Sequence, residues 1–119
     1  MPETFRRLGW NNLWDPTKVM VAPEHGRDYK RVGVPTREDH RINSEWARQL
    51  GVPEENILEL GGVGNCHHLA VEKGWAVPGS IYLSGPDDHT INVGGVGCFG
   101  SCISAGAPAF MQTGWLYEY

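Results

Sequence analysis

Apolar positions along this chain come in short runs, each cut off by glycine or proline, and their spacing alternates between helical and extended periods. Pro2 to Leu8 carries an early proline with Phe5 and Leu8 at i, i+3, which predicts a short amphipathic helix. Asp15-Pro16 marks a turn, and Lys18 to Ala22 (KVMVA) reads as a buried strand running into Pro23-Glu24-His25-Gly26. Arg27 to Pro35 is a basic loop. Thr36 can cap a helix with Ile42, Trp46 and Leu50 at four-residue spacing, ending at Gly51. Ile57 to Leu60 (ILEL) gives a second strand, followed at once by Gly61 to Gly64 and by a helix from about Asn65 to Lys73 that stops at Gly74. Pro78-Gly79 turns the chain into a third strand, Ser80 to Ser84. A loop, Gly85 to Thr90, and a second glycine cluster follow. Ile103, Ala107, Phe110 and Met111 mark a last helix ending near Thr113-Gly114, and a fourth strand begins at Trp115.

The order β-α-β-α-β-α-β predicts an α/β fold, a three-layer αβα arrangement around a mainly parallel sheet with right-handed crossovers. The polar residues fall in a telling place. Glu24-His25, Gly61 to His67, and Asp87 to His89 each follow the carboxyl end of a strand, the edge of an open parallel sheet where ligands bind. Gathered imidazoles and carboxylates suit proton transfer, since a carboxylate fixes a histidine's tautomer and raises its basicity. His67 is placed to meet Asp87 across neighbouring strands. His40 reads as solvated helix surface, and His68 stands apart from the rim set.

Composition narrows the partners. A formal net charge of −4 on 119 residues favours neither nucleic acid nor an anionic membrane. No apolar run approaches the ~20 residues that span a bilayer, and three cysteines without framework spacing suit a reducing compartment. The expectation is a soluble cytoplasmic or organellar protein, for instance mitochondrial, and not a secreted one. Residues 1–119 make one domain or part of one, and the strand-like ending suggests a piece of something longer.

The loops Gly61 to Gly64 and Gly94 to Gly97 offer N–H groups to a carboxylate or phosphate, or are simply tight turns. Gly95-x-Gly97-x-x-Gly100 matches the dinucleotide pattern, with Glu118 near the expected ribose-binding acid, so nucleotide binding is an alternative reading. That pattern needs a strand leading straight into the glycines, whereas the clear strand ends near Ser84. Cys66, His67, His68, His89, Cys98 and Cys102 fit no common zinc spacing, so buried structural cysteines and no metal ligands are expected.

Taken together, several segments resemble the aconitase superfamily, including 3-isopropylmalate dehydratase large subunits and homoaconitases. Gly62-Val-Gly64-Asn-Cys-His67-His68, Glu72, Pro78-Gly79, Asp87-Asp88-His89-Thr90 and Gly94 to Gly100 match its motifs in order, as do Asp15-Pro-Thr-Lys18, Pro23-Glu24-His25 and Thr113-Gly114-Trp115. The resemblance implies part of the first α/β domain of a hydro-lyase that dehydrates hydroxy di- or tricarboxylic acids on a [4Fe-4S] cluster. It implies that His25, supported by Glu24, protonates the leaving hydroxyl, that Asp87 holds His67, and that His89 joins the same network. Asp88, Thr90, Gly62 and Gly64 would face the substrate. Glu24 replaces an aspartate of the family, Asp88 a serine, and His68 a glutamine. The family's cluster cysteines lie in segments with no counterpart here, and Gly100-Ser-Cys-Ile-Ser104 only superficially resembles one of them. This chain is therefore expected to bind no cluster by itself and to need a complementing chain carrying the cluster and the swivelling domain. Alone it is expected to be inactive as a dehydratase, prone to association, and exposed at Trp115, Leu116 and Tyr117.

Overall fold

The structure, a computed structural model, describes residues 1–22, 34–58, 66–85 and 87–115. Helix α1 spans Pro2–Leu8, begins on its proline and closes at Gly9 in the left-handed region (φ 69°). Phe5 is its buried residue and meets Trp10 and Trp46 edge to face, with centroids 5.6 and 4.9 Å away. Leu8, the other apolar position of the predicted face, is exposed.

The segment expected as a first strand is mostly irregular. Asp15 caps a 3-10 turn, Pro16–Lys18, by accepting the Thr17 N–H at 2.9 Å. Extended backbone follows, and Val21 forms a single parallel bridge with Ile57. The Val21 N–H donates to Asn56 O (2.9 Å) and the Leu58 N–H to Val21 O (2.8 Å). The predicted neighbours thus pair in the predicted sense, over one bridge among the described residues.

Helix α2, Val34–Gln49, starts two positions before Thr36, and the chain leaves it through Gly51 at φ +82°. Of the face expected, Trp46 and Leu50 pack on the core and Ile42 does not. Ser44 and Ala47 are buried while Ile42 is exposed, because the face that Phe5 and Trp46 share takes the small residues inside. His40 is half-buried rather than solvated, and burial lowers its pKa from the ordinary 6.5, the backbone of Leu58 opposing that shift.

Helix α3, Cys66–Glu72, buries His67, Leu69 and Ala70 and ends before Gly74 (φ +74°). Strand β1, Ile81–Ser84, pairs in parallel with β2, Phe99–Cys102, in the register Ile81↔Phe99 to Ser84↔Cys102. A 3-10 helix, Asp88–Val96, makes the crossover and ends at Gly97 in the left-handed region. Gly100 sits in β2 where a Cβ would run into the Thr90 carbonyl and the Val93 side chain, so only glycine lets strand and helix lie this close. Helix α4, Ala107–Thr113, completes the described chain, and Trp115 beyond it is exposed as expected. Leu116 and Tyr117, with the rest of the predicted fourth strand, lie outside the described residues.

The fold is α/β with parallel pairing, as the element order predicts, but β2 stands where the sequence predicts a glycine loop. Its sequence, FGSC, lacks the β-branched run that marks a strand. The same finding removes the dinucleotide reading. The order here is helix, glycines, strand, the reverse of the strand, glycines, helix that cradles a pyrophosphate.

Among the described residues, two apolar clusters carry the packing. One joins Phe5, Leu13, Ala47, Val52 and Ile57. The other, Ala70, Ala76, Val93 and Cys98 with Tyr82 and Trp75 against it, packs α3 against the 3-10 helix.

Candidate acid–base site

Asp87 is the centre of the site. It follows the end of β1, and its backbone carbonyl accepts hydroxyl bonds from Ser84 (3.2 Å) and Thr90 (2.6 Å). Its side chain caps the 3-10 helix, Oδ1 accepting the His89 backbone N–H at 3.0 Å. The carboxylate is 4 % exposed. Oδ2 accepts from the Cys66 thiol at 2.9 Å and lies 3.0 Å from Nδ1 of His67, itself 5 % exposed. The two partners are successive residues at the start of α3, twenty positions from Asp87 in the case of His67.

His89 flanks this pair. Its ring is exposed, with Nδ1 3.4 Å from Oδ1 of Asp87 and its centroid 5.9 Å from that of His67. His68 is exposed and meets His67 edge to face. Tyr82 lines the buried side, and its phenol is pushed up by burial first and then by Cys66, Asp87 and Cys98.

A carboxylate against Nδ1 holds the proton there and leaves Nε2 as the basic nitrogen, so His67 is arranged to take or give a proton. Of the other residues singled out from sequence, Asp88 is exposed, and Thr90 is wholly buried with its hydroxyl engaged by Ser84 and the Asp87 carbonyl. Thr90 thus holds the turn that presents Asp87. Glu24, His25, Gly62 and Gly64 lie outside the described residues. Sequence reading missed Cys66 as a partner of Asp87; its adjacency to His67 was the available signal.

The three cysteines are free thiols: Cys98 is buried, while Cys66 and Cys102 are half-buried. They do not gather. Cys98 accepts from the Ser80 hydroxyl, Cys102 donates to the Gly85 carbonyl, and Cys66 alone joins a cluster of potential ligands. A cluster of the [4Fe-4S] type needs several converging thiolates. These residues do not fit one.

Fold and site together define an α/β domain with a buried carboxylate–imidazole pair at the carboxyl end of a parallel strand. No protein-family model matches the chain, and no solved structure does. It is 35% identical over 111 residues to the 3-isopropylmalate dehydratase large subunit of Acetivibrio thermocellus, covering 92% of this chain and 25% of that one. The enzyme subunit of the same name from Moorella thermoacetica is 31% identical over 116 residues, 97% of this chain and 26% of the relative. A probable methanogen homoaconitase large subunit from Methanosarcina mazei is 29% identical over 101 residues, 85% of this chain and 24% of the relative. By sequence the chain belongs to the aconitase superfamily, the group its motifs resemble. It spans about a quarter of the length of the relatives it matches. No described helix is long and apolar enough to cross a membrane.

Proposed function

We propose that this chain supplies acid–base residues to a hydro-lyase of the 3-isopropylmalate dehydratase type, acting on a hydroxy di- or tricarboxylic acid. The observation that supports this reading is the buried contact between His67 Nδ1 and Asp87 Oδ2, at the positions where the family's motifs fall. In it, His67 exchanges a proton through Nε2 and His89 stands beside it. His25, supported by Glu24, serves the leaving hydroxyl, while Asp88, Thr90, Gly62 and Gly64 contribute to the substrate side. A complementing chain carries the remaining portion of the large subunit with its cluster and the swivelling domain, and this chain works in its company.

The test is complementation. The chain is purified alone and also co-expressed with the part of the Acetivibrio thermocellus relative outside the matched segment and with the small subunit of that enzyme, then assayed for hydration of unsaturated dicarboxylates. The expected result is no turnover alone and turnover in the complex. Loss of a general acid–base group costs about 10²- to 10⁴-fold, so His67→Asn should lower the rate of the complex by at least about a hundredfold. A well-formed complex without turnover would refute the reading. It would favour a non-catalytic remnant, to which the exposed Asp88 also points. A carboxylate there, facing a polycarboxylate ~4 Å away, adds repulsion of about 4 kcal/mol at an effective dielectric of 20.

A further inference from the structure

The hydro-lyase reading leaves the thiol of Cys66 unused, although it lies in the middle of the site. Cys66 Sγ, His67 Nδ1 and an Asp87 carboxylate oxygen lie within 4.8 Å of one another. Sγ and Nδ1 stand 2.9 and 3.0 Å from the same oxygen, Oδ2. In a tetrahedral zinc site with bonds of about 2.0–2.3 Å, neighbouring ligand atoms are roughly 3.3–3.6 Å apart. Small side-chain rotations that lengthen these two contacts, and set Sγ and Nδ1, which lie within 4.8 Å, at a similar separation, bring the triangle to coordination distances.

The supports are built into the fold. His67 and Asp87 are 5 % and 4 % exposed, α3 fixes two of the donors, and the Ser84–Thr90 turn fixes the third. Thiolate, imidazole and carboxylate together suit a borderline transition ion, whereas magnesium and calcium ask for oxygen throughout.

We propose that Cys66, His67 and Asp87 bind a divalent ion of the zinc type, with water or His89 at the fourth position. Binding takes Asp87 as carboxylate, His67 with its proton on Nε2, and Cys66 as thiolate, the thiol proton passing to solvent. His67 then holds the tautomer opposite to the one that makes Nε2 a base. The ion and proton transfer through His67 exclude one another, so zinc would inhibit any hydro-lyase assembled from this chain.

The experiment needs no enzymatic activity. Metal-free chain is titrated with Zn²⁺ against a chromophoric chelator, and with Co²⁺ while the thiolate-to-cobalt absorption is followed. The expected result is one ion per chain, with affinity falling as pH is lowered because a proton is displaced. Even changes to groups behind metal ligands weaken binding 10- to 100-fold, so Cys66→Ser should weaken it by about a hundredfold and abolish the absorption. Cys102→Ser should leave both unchanged. Far-UV circular dichroism checks that each variant is folded, and if Cys66→Ser is not, the wild-type titration and its cobalt spectrum decide. Failure of the wild type to compete with the chelator, or a cobalt spectrum lacking thiolate absorption or surviving in Cys66→Ser, would overturn the proposal.

Discussion

Replacing Asp87 by asparagine keeps the size of the side chain and removes its charge, which isolates what the carboxylate contributes to stability. In the native site Oδ1 accepts the His89 backbone N–H and Oδ2 accepts from Cys66 and faces Nδ1 of His67. In Asp87→Asn the amide oxygen can keep the His89 cap. The amide NH2 then stands where Oδ2 was, confronting two donors. His67 can relieve its side by moving its proton to Nε2, so that Nδ1 accepts. The Cys66 thiol can only turn its proton away and accept weakly through sulfur, so a charge-assisted bond is lost. Hydrogen bonds to charged groups contribute about 1.5–3 kcal/mol, and Asp87 is buried, so screening by water does not dilute the loss. The expected destabilisation is about 2–3 kcal/mol, or roughly a 10 °C fall in Tm for a domain of this size. Urea unfolding followed by tryptophan fluorescence measures it, with the exposed neighbour Asp88→Asn as a control expected within about 0.5 kcal/mol of wild type. An Asp87→Asn variant as stable as that control would refute the account of the carboxylate as the organiser of the site.

Three further outcomes follow from the packing. Ser44 is buried with its hydroxyl unpartnered, so Ser44→Ala should stabilise the chain by about 1 kcal/mol in urea unfolding, and a loss of stability would show a bond to that hydroxyl. Gly100→Ala forces a methyl into the Thr90 carbonyl and should cost about 3 kcal/mol or prevent folding, read by circular dichroism and thermal melting. Burial holds the folded pKa of His40 below the unfolded 6.5. The unfolded chain therefore takes up more protons just below pH 6.5, and this part of the stability, complete above that pH, is lost as pH falls through the folded value. His40→Gln should flatten the decline in urea midpoint between about pH 7.5 and about pH 5.5; an unchanged decline would assign it to other groups.

The helices, the parallel sense of pairing and the family are legible in the sequence. Helix ends are written locally: Gly9, Gly51, Gly74 and Gly114 all take positive φ, a conformation that needs no distant partner to be recognised. The pairing of His67 with Asp87 was also legible, because strand order brings loops after strands to one edge. What only the tertiary structure decided depends on which surfaces meet. Ile42 has the spacing of a core residue, yet Ser44 and Ala47 face inward, since the contact between Phe5 and Trp46 selects the helix face. The half-burial of His40 brings its ring under the influence of the Leu58 backbone, on another segment. Strand β2 has weak local preference and exists because Gly100 lets it lie against the crossover helix beside β1. Cys66 becomes a partner of Asp87 only when α3 packs on that same helix. Local backbone preference and periodicity are properties of neighbouring residues and survive in the sequence as patterns. A contact between segments far apart in the chain leaves no such pattern, and the packing that closes it decides which side chains share a site.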